Sequence, residues 1–556
     1  MNAERTSHRN FAKYFNFWNL VKYGSMLLLL VFLVYPFFSV IFHSFLSSDG
    51  KFTFEFYKIF FTKQYYYRTL WNSLATSGIS TVFAIIIGVP LAYITSRFNV
   101  YWKKCINMLI IMSLMSPPFI GAYSWIMLLG RNGLFTNALA KIGIITPPIY
   151  GFGGIVLVFT LKFFPYVYLY VSGAMSSIDR SLEEAAENLG SSKLRRVMTI
   201  TMPVIMPTLA AGAIMAFMSS LADFGTPMLI GEGYKVLPVL VYEEYMSEMG
   251  GNANMAGALS VVIICCSTAV LLIQKYVVAR KNYVMTALRP PIVEELSRGK
   301  RILLTALCMF VASVAFLPQI VVIFTSFIKT NGPIFVQDFS LESYEKIFYK
   351  LSKNITNTFM FSFIAIIIII IFGMLLSYLV VKKKSKISST LDLLLMFPYV
   401  IPGAVLGISM LVAFNKPPLM LSGTAVIMII AYVIRKMPYT IRSSSALLYQ
   451  IDPSIEEASI NLGVSPMRTF FKITARMMAP GVLSGAILSW ITTINELSSS
   501  IMLYSGKTAT ISVAIYTEVV RSSFGTAAAL ASILTVATIL SLLLFNWVSK
   551  GRVSVV

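Results

Sequence analysis

Charge is scarce in this chain. Of its 556 residues only 12% are charged and 57% are hydrophobic, whereas ordinary globular proteins run at about a quarter charged. With a mean hydropathy of +0.77, a water-soluble globular fold is excluded. Histidine is nearly missing: His8 and His43 are the two, which argues against a His-based metal or catalytic centre and leaves no HExxH pattern. The four cysteines, Cys105, Cys265, Cys266 and Cys308, all lie in apolar segments without a CxxC pair or metal-ligand spacing, so buried inert thiols are the expectation. Acidic residues are few, 23 against 45 basic ones, for a net charge of +22. No basic domain stands apart, however, so nucleic acid is not an expected partner.

What is present is apolar sequence in runs long enough to cross a bilayer, about 20 residues each. We read an all-α polytopic membrane protein with about twelve spans. They lie near 24–46, 70–95, 105–129, 152–175, 204–231 and 256–279, then near 302–328, 356–381, 390–414, 423–446, 481–504 and 526–548. Lys and Arg gather after every second span, as with Arg97, Lys103 and Lys104, or Lys193, Arg195 and Arg196. By the positive-inside bias, both termini face the cytoplasm. The leader 1–23 carries Arg5, Arg9, Lys13 and Lys22, and the span after it is too long for a signal-peptide core.

The two halves repeat. Asn72, Gly88 and Pro117 recur at one constant displacement as Asn357, Gly373 and Pro402. Further along, Pro165-Tyr166, Gly190 and Asp223 recur at a second, slightly shorter one as Pro438-Tyr439, Gly463 and Glu496. Each copy holds an even number of spans, so the copies share one orientation and imply a pseudo-two-fold axis along the membrane normal. The repeat divides the chain into a leader (1–23), a first domain (24–283), a hydrophilic linker (284–300) and a second domain (301–556).

Between the fourth and fifth span of each half lies a matched polar phrase, EAAENLG at 184–190 and EASINLG at 457–463. Ser181 with Glu184, and Ser454 with Glu457, have capping-box spacing. Gly190 and Gly463 suit a left-handed helix end, after which Ser192 opens another helix. Pro453 suits a helix start. Two short helices meeting at a glycine elbow form a knob, and small residues on its face admit a partner.

The EAA…G pattern, with Ile200 and Ile473 ten residues after each glycine, resembles the coupling segment of binding-protein-dependent ABC importer permeases. Six spans per half with this segment between the fourth and fifth look like their MetI-type fold. The resemblance covers essentially the whole chain and implies two parallel MetI-like repeats in a bacterial inner membrane. It also implies two ATPase subunits docking at Glu184, Ala185 and Gly190 and at Glu457, Ala458 and Gly463, together with an external solute-binding protein. Two departures are visible: Arg476 stands where the first copy has Pro203, and Ser459 replaces an alanine. No nucleotide site is expected here. Gly506-Lys507-Thr508 has Ile501 where a P-loop needs glycine, so ATP-Mg belongs to the partner subunits and this chain is a transport subunit, not an enzyme.

Asp223 and Glu496 hold equivalent places in the fifth spans. A charged side chain at mid-membrane costs about 2.5–3.5 kcal/mol on insertion scales, so such groups face a cavity or a partner. Several readings stand: they line the pathway for a cationic or metal-bearing solute or form its gate, or either lies near the outer surface or satisfies a neighbouring hydroxyl such as Ser219 or Ser498. Arg435 and Lys436 likewise fit either an anion contact or a local ion pair. Matched prolines either shape a cavity or kink helices for packing. The acidic stretch 242–248 (YEEYMSE) suits either a solute-binding protein or plain solvent. Fused halves, the DFG at 223–225 and RKNYVMTAL at 280–288 resemble iron(III)-type permeases; similar chains serve thiamine, aminoethylphosphonate and sugar phosphates. An ion-gradient-driven secondary transporter would also use repeats and intramembrane carboxylates, but would need no paired knobs.

Overall fold

In the computed structural model, residues 17–47, 49–114, 116–117, 119–131, 133–145, 147–176, 178–246, 251–279, 293–331 and 334–548 are described. The leader up to residue 16, the linker stretch 284–292, the RKNYVMTAL segment and residues 247–248 lie outside them. The helices that carry the architecture are α1 (Phe17–His43), α2 (Gln64–Arg97), α3 (Lys103–Leu114), α4 (Ile120–Leu129), α5 (Phe152–Ser176), α6 (Arg180–Asn188), α7 (Lys193–Ala222), α8 (Gly225–Ile230) and α9 (Ala253–Ala279). They continue as α10 (Arg298–Ser326), α11 (Glu342–Val381), α12 (Lys386–Val400), α13 (Gly403–Phe414), α14 (Ala425–Leu448), α15 (Pro453–Asn461), α16 (Pro466–Ile494), α17 (Ser500–Leu503) and α18 (Phe524–Val548). One hairpin, β1 (Ile328–Asn331) with β2 (Ile334–Phe339), is antiparallel, pairing Ile328 with Phe339 and Thr330 with Phe335.

Among the described residues nine helices are long and apolar enough to cross a membrane, ten if the bent pair α12 and α13 counts as one. The difference from twelve spans has a local cause in each case. The segment 105–129 is split into α3 and α4 at Pro117, which has no N–H to donate to a helix. Its counterpart turns by 111° between α12 and α13, where Ile401 is held extended (φ −84°, ψ 132°) by the proline that follows it. The fourth span of the second half, α14, is 24 residues long but carries Arg435, Lys436 and Arg442, so its apolar character falls short.

The chain forms two compact units. Among the described residues, one takes those within Met1–Lys51, Tyr349–Ala514 and Val536–Val555, and the other those within Phe52–Phe348 and Ile515–Thr535. Compactness therefore groups the chain differently from the sequence repeat. The first span, α1, belongs with the helices of the second half, and α10, the first span of the second half, belongs with those of the first.

Each unit is built on a proline-bearing middle helix flanked by two helices that approach through glycine. In one unit α5 is the middle helix: a Cβ on Gly88 of α2 would lie 3.0 Å from the Val167 Cβ, and one on Gly212 of α7 would lie 3.1 Å from the Tyr170 Cβ. Phe159, Phe163, Phe164, Val167 and Tyr168 are buried there. In the other unit α14 is the middle helix, with Gly373 of α11 and Gly485 of α16 both pressed onto Thr440. Small residues let helices close in where apolar burial gives no net drive within lipid. The exchanged helices are fastened by specific contacts. Trp18 of α1 stacks on Tyr378 at 4.5 Å, and the Thr305 hydroxyl of α10 accepts from the Tyr101 backbone N–H at 3.0 Å.

Candidate functional site

The two polar phrases fold into matched elbows. Helix α6 is capped by Asp179, whose Oδ1 accepts from the Ser181 N–H at 2.8 Å, and α15 by Asp452, which accepts from the Ser454 N–H at 2.9 Å. The capping boxes expected from Ser181–Glu184 and Ser454–Glu457 are thus displaced by two positions: the serines sit inside the first turn. A carboxylate makes the stronger cap, because it adds charge at the positive end of the helix. The Ser454 N–H holds the Asp452 carboxyl below its usual range.

Both helices end the same way. Gly190 (φ +76°) and Gly463 (φ +85°) are left-handed. The Ser191 N–H reaches the Ala186 carbonyl at 2.9 Å and the Gly190 N–H the Glu187 carbonyl at 2.8 Å; Val464 to Ser459 (3.2 Å) and Gly463 to Ile460 (2.9 Å) repeat the pattern. This is the Schellman closure. Ser192 and Ser465 then open α7 and α16, whose first turn widens into a π-turn at Val197–Thr201 and Phe470–Thr474 before the helix runs on.

The glutamate that turns inward is the one before the phrase. Glu183 Oε1 accepts from Arg97 Nη2 at 2.5 Å and from the Thr201 hydroxyl at 3.1 Å. Glu456 accepts from the Thr474 hydroxyl at 2.6 Å and from the Tyr378 phenol at 3.3 Å. Thr201 and Thr474 are related by the same displacement as Glu183 and Glu456, the one that also relates the two glycines. The anchor on the second span differs: Lys382, the counterpart of Arg97, instead donates to the Ile451 carbonyl at 3.2 Å. Glu184 is half-buried, whereas Ala185, Gly190, Glu457, Ala458 and Gly463 are exposed.

Each elbow also presents matched apolar side chains. Leu189 and Leu462 are 88% and 83% exposed, and Leu194 with Met467, and Met198 with Phe471, repeat the arrangement. Neither these residues nor the inner glutamates stand out within one copy read alone. The constant displacement between the copies is the signal that finds them.

The fifth-span carboxylates do not sit within an unbroken helix. Helix α7 stops at Ala222, and Asp223 accepts from the Thr226 N–H in the first turn of α8 (2.9 Å) and from Lys162 Nζ at 2.6 Å. Helix α16 stops at Ile494. Glu496 accepts from the Ser499 N–H and hydroxyl, both at 3.1 Å, and from Lys436 Nζ at 2.6 Å, with Arg435 Nη1 at 3.4 Å. Lys162 and Arg435 are counterparts under the displacement that relates Asp223 to Glu496, so the ion pair itself is repeated. Lys436 is committed to a local ion pair with Glu496, while Arg435 Nη1 lies within ion-pair range of it but has no hydrogen-bond acceptor among the described residues. Each carboxylate is neutralised within its own unit, which removes the simple picture of two free anions awaiting a cation. The second copy keeps one cation in excess. Gly403 makes room for it: a Cβ there would overlap the Arg435 guanidinium.

The acidic stretch is likewise engaged. Glu243 pairs with Lys235 at 2.5 Å and Glu244 accepts from the Tyr66 phenol at 2.9 Å. Among the described residues no cluster of three or more His, Cys, Asp or Glu is placed to hold a metal ion.

Residues 84–283 and 369–553, more than half the chain, match the family described as "Binding-protein-dependent transport system inner membrane component". The chain is 28% identical over 532 residues to the Ferric transport system permease protein FbpB of Actinobacillus pleuropneumoniae, covering 94% of this chain and 77% of that protein. It is 28% identical over 494 residues to the Putative ferric transport system permease protein FbpB 1 of Haemophilus influenzae, covering 87% and 77%. The Spermidine/putrescine transport system permease protein PotB of the same species is 28% identical over 220 residues, covering 38% of this chain and 76% of that protein.

Proposed function

This chain belongs to the binding-protein-dependent transport system inner membrane component family, and from that premise we propose that it carries ferric iron, handed over by an external binding protein, across a bacterial inner membrane. As a multi-pass ABC importer permease it is a transport subunit and not an enzyme. Two ATPase subunits holding ATP-Mg drive it, one at each elbow, with both termini in the cytoplasm. The observation that carries this reading is the repetition of one elbow at two sites, each closed by a left-handed glycine and each presenting an exposed leucine, Leu189 or Leu462, beside Ala185 or Ala458. Exposed apolar side chains gathered in one place mark an interaction surface, and each elbow gathers three, Leu189 with Leu194 and Met198 and Leu462 with Met467 and Phe471. Glu184, Ala185 and Gly190, with Glu457, Ala458 and Gly463, form the partner-facing surface. Iron as cargo is supported by the names of the two long relatives, both of them ferric transport system permease proteins.

One observation favours a refinement. Asp223 and Glu496 belong to the pathway as paired groups, and the Arg435–Lys436–Glu496 cluster bears one net positive charge. That charge repels a bare trivalent ion and favours a cargo with anionic ligands, whether an anion-bearing ferric complex or a phosphorylated compound.

The test is uptake into liposomes holding the chain with its ATPase subunits and binding protein. ATP-dependent accumulation of ferric iron is the expected result, compared with thiamine, aminoethylphosphonate and a sugar phosphate. Uptake without nucleotide would instead establish an ion-gradient-driven carrier.

A further inference from the structure

We infer that Glu183 and Glu456, the glutamates just before the docking phrases, are positioning residues that transmit movement of each elbow to the second and fifth spans. The inference rests on the importer reading above and goes beyond it, because it assigns transmission to residues other than those that meet the ATPase.

The geometry separates two jobs within one short helix. On α6, Ala185 faces outward while Glu183 faces the membrane helices; α15 repeats this with Ala458 and Glu456. Each inner glutamate ties three elements at a single carboxylate. It belongs to the elbow helix, it accepts from the threonine that ends the π-turn of the fifth span, and it accepts from the last two turns of the second span. A π-turn carries an extra residue and so resets which side chains face a given direction, and such turns concentrate at functional sites. Here both copies place one at the same point, and both put its last residue in reach of the glutamate. A partner pulling the elbow therefore pulls a carboxylate already bonded to two spans.

The two ties differ in chemistry. Glu183 holds a guanidinium whose side chain is 7% exposed, so the amide of a glutamine would leave Arg97 without its counter-charge. Glu456 accepts from two hydroxyls; a glutamine keeps one acceptor in its carbonyl, and its amide donates to the other hydroxyl oxygen, so hydrogen bonds persist without charge. The first tie needs charge and the second needs only hydrogen bonding.

The experiment uses the full chain purified with its ATPase subunits in liposomes with the binding protein. Glu183→Ala and Glu456→Ala are expected to keep the ATPase subunits bound and hydrolysing ATP while uptake falls at least tenfold. Glu183→Gln is expected to match Glu183→Ala, Glu456→Gln to stay within about twofold of the unmodified chain, and the exchange Glu183→Arg with Arg97→Glu to restore uptake. Uptake unchanged in both alanine variants overturns the inference, and so does loss of the ATPase subunits from them, which would make the glutamates docking residues. Should the unmodified chain itself bind no ATPase, the importer reading fails first and takes this inference with it.

Discussion

Lys436 Nζ lies 2.6 Å from Glu496 Oε2, and both side chains are less than 10% exposed. In the other copy Lys162 and Asp223 meet at the same distance. The carboxylate in each case also accepts from backbone at the start of the short helix that follows, Thr226 within α8 and Ser499 just before α17. Both pairs thus pin the broken end of the fifth span to the fourth, and the charge of each carboxylate serves to hold backbone in place.

The Lys162–Asp223 pair is partly buried, its side chains 19% and 10% exposed, so stranding one partner costs less than the roughly 3–5 kcal/mol of a fully buried pair. Asp223→Ala should still lower the thermal unfolding temperature in detergent, and Lys162→Met in the same chain should recover most of the loss. An additive double variant would show that the pair is not coupled.

Glu496 faces two cations, so Glu496→Gln should destabilise more than Asp223→Asn. Adding Lys436→Met to Glu496→Gln relieves part of the penalty, and the ranking of the three unfolding temperatures checks it. Equal effects of the two single amide variants would contradict the excess charge.

A Cβ at Gly190 or Gly463 would meet nothing within 4 Å, so the demand for glycine there is purely conformational. Alanine in the left-handed region costs about 1–2 kcal/mol. Gly190→Ala and Gly463→Ala should each cut ATP-driven uptake several-fold, with asparagine milder because it tolerates this conformation. Wild-type uptake by both alanine variants would mean that the elbow closure is dispensable.

Leu189→Ser and Leu462→Ser should reduce the ATPase subunits recovered with the purified chain, while leaving its unfolding temperature unchanged, since both side chains are more than 80% exposed. Full recovery of the partner from the double variant would remove these leucines from the interface.

The Asp452 carboxyl titrates below its ordinary value of about 3.9 because it accepts from the Ser454 N–H. A lowered folded-state value means that the cap contributes fully above that range and fades as pH falls through the lowered value. Titration of the Asp452 carboxyl by NMR should find it there, and Asp452→Asn should make the α15 helix end indifferent to the same pH change.

Some of these relationships are legible in the sequence and others are not. The glycine elbows are, because a left-handed helix end is a property of a few consecutive residues. Their caps lie two positions from where capping-box spacing puts them, because Asp179 and Ser181 both suit a helix start and only the formed hydrogen bonds choose between them. The inner glutamates are not legible beside Glu184 and Glu457. Neighbours on a helix point in different directions, and nothing within the phrase EEAAENLG says which direction meets Arg97.

Sequence by itself determined the membrane class, the twofold repetition and the paired elbows, because run length, proline and glycine positions act locally and survive any packing. Only tertiary structure decided that Asp223 answers to Lys162 and Glu496 to Lys436, and that α1 and α10 trade places between the compact units. Pairing between side chains on different helices depends on which helix faces come together. In lipid that choice is made by close approach at Gly88, Gly212, Gly373 and Gly485, not by hydrophobicity.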